Sequence, residues 1–244
     1  MNSIPYPSDS WKLEALQQSV RDKVDPDPKQ CGCHGTGWIL SDFDTWHQCP
    51  AHHKGQRHPE DYQEGDYGMK YAGIGSRSTP QDWLKVMENL AYHLSKRGWL
   101  LRSGGAPGAD KAFEAGCDKA VGLKEIFIPW KGFEGRTAGI IKGDDVKARD
   151  VAKQSHPAWD KLSQGVQRLM ARNSCQVLGS DCKDPVDFVI CWCPEDHNGV
   201  PQGGTSQAIR IANRYGIPVF NLWREGEYER LIKHVKNMLK EEGQ

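Results

Sequence analysis

The chain has 244 residues, 37% hydrophobic and 26% charged, enough for one sizeable domain and a smaller appendage. Lysine plus arginine equals aspartate plus glutamate at 32 each, so no global basic excess argues for nucleic acid. No apolar run approaches the roughly 20 residues of a membrane span, and the first residues lack a basic head followed by an apolar core, so a cytoplasmic protein with no membrane partner is expected.

Residues 1–66 differ from the rest in being rich in Pro, Asp, Gln and His. Trp11, Leu13, Leu16 and Val20 could form a narrow apolar stripe on a short helix. Cys31 and Cys33, then Cys49 and His52, supply four ligands of types that suit tetrahedral zinc, with His53 and His34 as rivals for the fourth place. A structural zinc is therefore expected, because so few apolar residues need a staple. The alternative is three reduced cysteines with incidental histidines. Eight cysteines in all favour metal or free thiols over disulfides in such a chain.

From Met69 the pattern becomes α/β. Met69 to Ile74 reads as a buried strand, and Thr79-Pro80 opens a helix, with Thr79 as cap and Pro80 in the first turn. Trp83, Val86, Met87, Leu90, Ala91 and Leu94 recur at helical spacing until Gly98. Trp99 to Arg102 is the next strand, followed by a helix of mostly small residues from Ala109 to Ala120, and then a strand from Lys124 to Ile128. The signal weakens after Trp130, where a loop could cover a site; Asp144 to Ala152 and Pro157 to Leu178 read as helical. Phe188 to Trp192 is continuously apolar, so it is placed centrally. A helix through Ala208, Ile211 and Ala212 and a fifth strand from Ile217 to Leu222 complete residues 67–224 as one domain. Residues 225–244 form an amphipathic last helix. Strand and helix in alternation predict a parallel sheet of about five or more strands with helices on both faces.

Three of these strands run into glycine-rich turns and then helix starts: Gly73 and Gly75-Ser76-Arg77; Ser103-Gly104-Gly105 with Gly108 and Asp110; and Gly203-Gly204-Thr205. Glycines allow close backbone approach, and first-turn amides face an anion, so a phosphate is the expected guest. The turns should gather at the carboxyl ends of the strands. Neither G-x-x-x-x-G-K-[ST] nor G-x-G-x-x-G is present, which removes the usual support for an ATPase or a dinucleotide-dependent dehydrogenase.

Gly75-Ser-Arg77, Ser103-Gly-Gly-Ala-Pro-Gly-Ala-Asp110, Arg172-Asn173 and Gly203-Gly-Thr205 resemble the DprA/LOG superfamily of Rossmann-like domains, often called SLOG, from about Met69 to Leu222. The look is closest to phage-encoded and bacterial DprA-like proteins; the cysteine segment lies outside it. The resemblance implies three kinds of function: single-stranded DNA binding, hydrolysis of an N-glycosidic bond, and sensing of nucleotide-derived signals. Fold alone does not choose among them. It implies that Arg172 faces a phosphoribosyl group. It also implies a glutamate near position 207, where this chain has Gln207, so the hydrolytic carboxylate is missing from its expected place.

Each candidate has a plainer alternative. Arg172 could pair with a nearby aspartate, Arg77 could brace its turn, Asp110 could charge the first turn of its helix, and Thr205 could cap its helix. Trp130 at a strand end could stack on a base, and Trp192 could be sheet core. The leading expectation is a protein that binds an ADP-ribose-type or cyclic nucleotide signal, sequestering a host defence messenger if phage-encoded, and forms a homo-oligomer. The second is a nucleotide N-glycosidase with Asp110 or Glu114 standing in for the carboxylate. The third is a DprA-like single-stranded DNA binder.

Overall fold

Six parallel strands form one sheet: β3 (Lys70–Gly75), β4 (Leu100–Ser103), β5 (Lys124–Ile128), β6 (Ile140–Ile141), β7 (Phe188–Trp192) and β8 (Val219–Asn221). Their order across it is β6-β5-β4-β3-β7-β8. The computed structural model describes residues 38–40, 46–48 and 69–241. The first two stretches are β1 (Trp38–Leu40) and β2 (Trp46–Gln48), an antiparallel pair with Trp38 opposite Gln48. The zinc ligands expected at Cys31, Cys33, Cys49 and His52, and the helix expected near Trp11, lie outside the described residues.

Six α-helices among the described residues flank the main sheet, the third and fourth both between β6 and β7: α1 (Gln81–Ser95), α2 (Ala109–Lys119), α3 (Val146–Ser155), α4 (Gln164–Leu178), α5 (Thr205–Arg214) and α6 (Glu227–Glu241). Alternate strand residues supply two cores, as the period of two requires. Tyr71, Leu101, Phe188 and Ile190 pack with Trp83, Phe113 and Leu231, so α1, α2 and α6 cover that face. Ala72, Ile74, Val189 and Cys191 pack with Val177, Ala208 and Ile211 of α4 and α5 on the other. β3 lies between β4 and β7, with Tyr71 opposite both Leu101 and Phe188. β7 is buried along its whole length, which accounts for its unbroken apolar run.

Local chemistry moves some boundaries away from the sequence expectation. Helix α1 starts at Gln81 with Pro80 as its extended cap residue and no side-chain cap. Thr79 instead donates its hydroxyl to the Ser76 carbonyl at 2.7 Å, closing the turn after β3. The single helix read over residues 157–178 is divided, because Ser163 accepts from the Val166 amide and starts α4 afresh. Asp145 does the same for α3 at the Ala148 amide, 3.0 Å away. β6 had no sequence signal: it is two exposed isoleucines recruited by the edge of β5.

Toward the amino ends of the central strands, away from the cavity, sits a charged network. Arg102 is 1% exposed, yet it bonds Glu125 at 2.5 Å, the Asp184 carboxylate at 2.6 Å and the Asp184 carbonyl, while Lys70 pairs with Asp184 as well. Burial alone would raise the Asp184 pKa, but the bonds from Lys70 and Arg102 outweigh it and hold the carboxyl below its usual range. Glu114 is held down in the same way by Arg136 and Lys124. A depressed carboxylate stabilises the fold above its unfolded pKa, and that stability is lost as pH falls through the folded value. The urea midpoint is therefore expected to hold from pH 7 to about 5 and to fall below about 4, less steeply in Asp184→Asn. A midpoint flat to pH 3 would remove this network from the account of stability.

Candidate functional site

A cavity of about 370 Å³ opens where β3 and β7 end and their following helices leave to opposite faces of the sheet. This is the topological switch point, the place where open parallel sheets bind ligands. Its wall is made by the turn after β3 (Ser76, Arg77), the turn after β4 and first turn of α2 (Ala106, Asp110), one side of α4 (Met170, Arg172, Asn173, Gln176) and the turn that leads into α5 (Gly203, Gly204, Thr205). All three glycine turns thus meet at one place.

Arg172 is a buried cation of the cavity. It is 5% exposed, its Nη1 lies 3.6 Å from Asp110 Oδ2, and its guanidinium carbon sits 5.6 Å from the Phe133 ring centre. Its Nε has no hydrogen-bond partner, nor does Nε2 of Gln176, one turn further along the same helix. Burial pulls the Arg172 pKa down, Asp110 opposes this, and the charge of Arg77 adds to it. The arginine therefore pairs with an aspartate, but from the buried interior of another helix and with donor capacity to spare. Gly104 makes room for it: a Cβ there would stand 1.6 Å from Arg172 Nη1 and 2.4 Å from Gln176 Nε2.

Asp110 acts as a latch between the turns. Its Oδ1 accepts from the Gly75 amide at 3.1 Å and its Oδ2 from the Ala106 amide at 3.4 Å. Burial nevertheless raises its pKa, against the pull of Arg172 and of the backbone amides. Gly108, at φ 86°, lets the same turn press on the first: a Cβ would fall 2.6 Å from the Ser76 carbonyl oxygen. Asn173 donates to the Gly204 carbonyl at 3.0 Å and fixes the third turn. Thr205 does not cap α5; it is the first helical residue, follows Gly204 and lines the cavity. No carbonyl among the described residues accepts from the amides of Gly204, Thr205 or Ser206, so the helix start offers its donors to the cavity side.

Other candidates lie elsewhere. Gly73 is packed under Phe113 and Leu101 inside the sheet, and Ser103 donates its hydroxyl to the Gly73 carbonyl at 2.7 Å. A Cβ at Gly105 would fall 2.9 Å from the Arg136 side chain. Glu114 is outside the cavity, gripped by both terminal nitrogens of Arg136 at 2.7 Å and by Lys124 at 3.0 Å. Trp130 is 36% exposed, edge-on to Phe133 with ring centres 5.4 Å apart, and does not line the cavity. Trp192 is buried at the end of β7. Gln207 is fully buried and turned into helix packing, donating to the Ala152 carbonyl at 2.9 Å. Sequence reasoning missed Gln176, although its spacing of four from Arg172 was a usable sign. It also missed Glu134, which pairs with Arg77 at the rim. Among the described residues no group of three or more His, Cys, Asp or Glu is placed to hold a metal ion, and no helix is long and apolar enough to cross a membrane.

No protein-family model matches the sequence, and no curated protein does. Two solved structures share the general course of the chain. DNA processing protein A from Helicobacter pylori, described for its single-stranded DNA binding mode, is 19% identical over 72% of this chain and 82% of its own, with a TM-score of 0.46. The Moco carrier protein of Chlamydomonas rheinhardtii is 16% identical over 70% of this chain and 86% of its own, with a TM-score of 0.39. At that distance neither transfers a ligand, and the parallel α/β fold stands on its own strand order.

Proposed function

We propose that the chain binds a nucleotide-derived small molecule, of the ADP-ribose or cyclic nucleotide kind, through its phosphate and ribose. The observation that carries this reading is the convergence on one cavity of the Arg172 guanidinium, Arg77 and the start of α5, whose first amides have no carbonyl partner among the described residues. Arginine suits a phosphate or a ribose diol because its planar fork meets two oxygens. The free amides at the start of α5 and the Arg77 side chain add further donors for a phosphate. A volume near 370 Å³ lies within the range of small-molecule sites, about 300–1,000 Å³.

Binding is favoured over cleavage by what the carboxylates are doing. Both Asp110 oxygens already accept from backbone amides, Glu114 is held by two cations, and Gln207 faces away. The cysteine segment, in this reading, is a zinc staple and takes no part in the site.

Calorimetric titration with AMP, cyclic AMP, ADP-ribose and ribose 5-phosphate tests the reading, with mass spectrometry of whatever is recovered. Binding of at least one, released intact, and a loss of about 10- to 100-fold in Arg172→Gln is the expected result, the size of one charged hydrogen bond. Release of a free base would move the assignment to an N-glycosidase. Oligonucleotide affinity that falls steeply with salt, with no nucleotide bound, would move it to a DNA binder.

A further inference from the structure

Residues 130–139, between β5 and β6, form a strap beside the cavity that the binding reading leaves without a role. Phe133 anchors it: the ring is 3% exposed, packed with Ala106, Ile126 and Ile128, and lies against the Arg172 guanidinium. Arg136 ties its far side to Glu114. Between the two, Glu134 stands at φ 52°, ψ 34°, a left-handed conformation that a side chain of this size rarely takes. Glycines 132 and 135 on either side are left-handed too. The turn so formed delivers the Glu134 carboxylate to the guanidinium of Arg77.

The two cations of the cavity are therefore neutralised differently. Arg172 has Asp110, on a helix and latched to two turns. Among the described residues Arg77 has Glu134 alone, on a strap, and remains 61% exposed. A carboxylate on the rim cation of an anion site competes with the anion. A phosphate dianion can displace it, since it brings more charge and a further oxygen for the guanidinium fork. An uncharged nucleoside cannot.

We propose that Glu134 is an internal stand-in for the ligand's phosphate at Arg77, so that the site selects phosphorylated nucleotides over nucleosides and the strap is released when one binds. This rests on the binding reading above and adds the class of ligand and the residue that discriminates it.

The test compares wild type, Glu134→Gln and Arg77→Gln in titrations with AMP and with adenosine, and in amide hydrogen exchange of residues 132–136 without ligand. Glu134→Gln is expected to tighten AMP about two- to fivefold, the range of a partly exposed ion pair, and to leave adenosine unchanged. Arg77→Gln is expected to weaken AMP. Both variants are expected to speed exchange in the strap, because each removes half of the pin, so one readout moves together while the other moves apart. AMP affinity unchanged or weakened in Glu134→Gln overturns the proposal, as does equal tightening of AMP and adenosine, which would make the strap a steric cover. Exchange unaltered in both variants also overturns it. If wild type binds no AMP while both variants still loosen the strap, the binding reading itself has failed and the selection role falls with it.

Discussion

Gly104→Ala is expected to reduce AMP affinity at least tenfold while leaving a folded protein. The Cβ would stand 1.6 Å from Arg172 Nη1 and 2.5 Å from its central carbon, far inside contact distance, so the guanidinium must move. Asp110 and Phe133 wall two sides of it, and the cavity is the open direction. The displaced arginine then fills the space it would otherwise offer to a phosphate. The backbone at Gly104 is not left-handed, so alanine fits the turn and the perturbation is the collision with two side chains, Arg172 and, at 2.4 Å, Gln176 Nε2. Forced repacking of this kind costs about 1–3 kcal/mol, which leaves a measurable melt. Loss of one charged hydrogen bond costs about 1.5–3 kcal/mol of binding, equivalent to roughly 10- to 150-fold. Calorimetry with AMP and a thermal melt of the same sample check both halves. AMP bound as tightly as by wild type would show that the ligand does not use Arg172 where the structure has it.

The second large effect concerns stability. Arg102→Leu is expected to destabilise the fold by about 3 kcal/mol, at the low end of what breaking a buried ion pair costs. Arg102 is the center of the Lys70, Glu125 and Asp184 network and is almost fully buried, whereas Glu125 and Asp184 keep 19% and 30% exposure. Those carboxylates can recover part of their hydration, which is why the low end applies. Adding Glu125→Leu to Arg102→Leu should recover part of the loss, since two apolar groups strand less charge than one. Urea unfolding of the two single variants and the double variant measures the coupling. A loss under 1 kcal/mol in Arg102→Leu would mean that the network adds nothing beyond surface pairing.

The course of the fold was legible wherever an element carried its own pattern. The apolar run at Phe188–Trp192 and the helical spacing from Trp83 to Leu94 needed no tertiary information. β6 was invisible because its strand character belongs to the partner β5 and not to Ile140 or Ile141. The glycine turns marked the site for a physical reason that sequence retains, since close approach demands glycine whatever is bound. The roles of single polar residues were harder to read. Whether Asp110 serves a ligand or a neighbouring turn depends on Gly75, 35 positions away. Thr79 and Thr205 both stood where a cap belongs, yet one hydroxyl turned back to its own loop and the other residue entered the helix. Capping is decided by about one turn of backbone geometry, which residue type alone does not fix.

The central position of β3 sets the order in which the protein can be finished. Its partner β4 follows it within 30 positions, but β7, which pairs along its other side, comes 117 positions later, with Tyr71 opposite Phe188. During synthesis the outer edge of β3, from Tyr71 to Gly75, therefore waits unpaired while α1 through α4 are made. An open apolar strand edge is a template for other chains, and pairings between distant segments form slowly. The cavity shares that delay, because Arg172 and the start of α5 arrive with the second half of the sheet. A nascent chain stopped before residue 188 would present a sticky edge and no site, so arrest or truncation there is expected to expose the protein to aggregation and to chaperone capture.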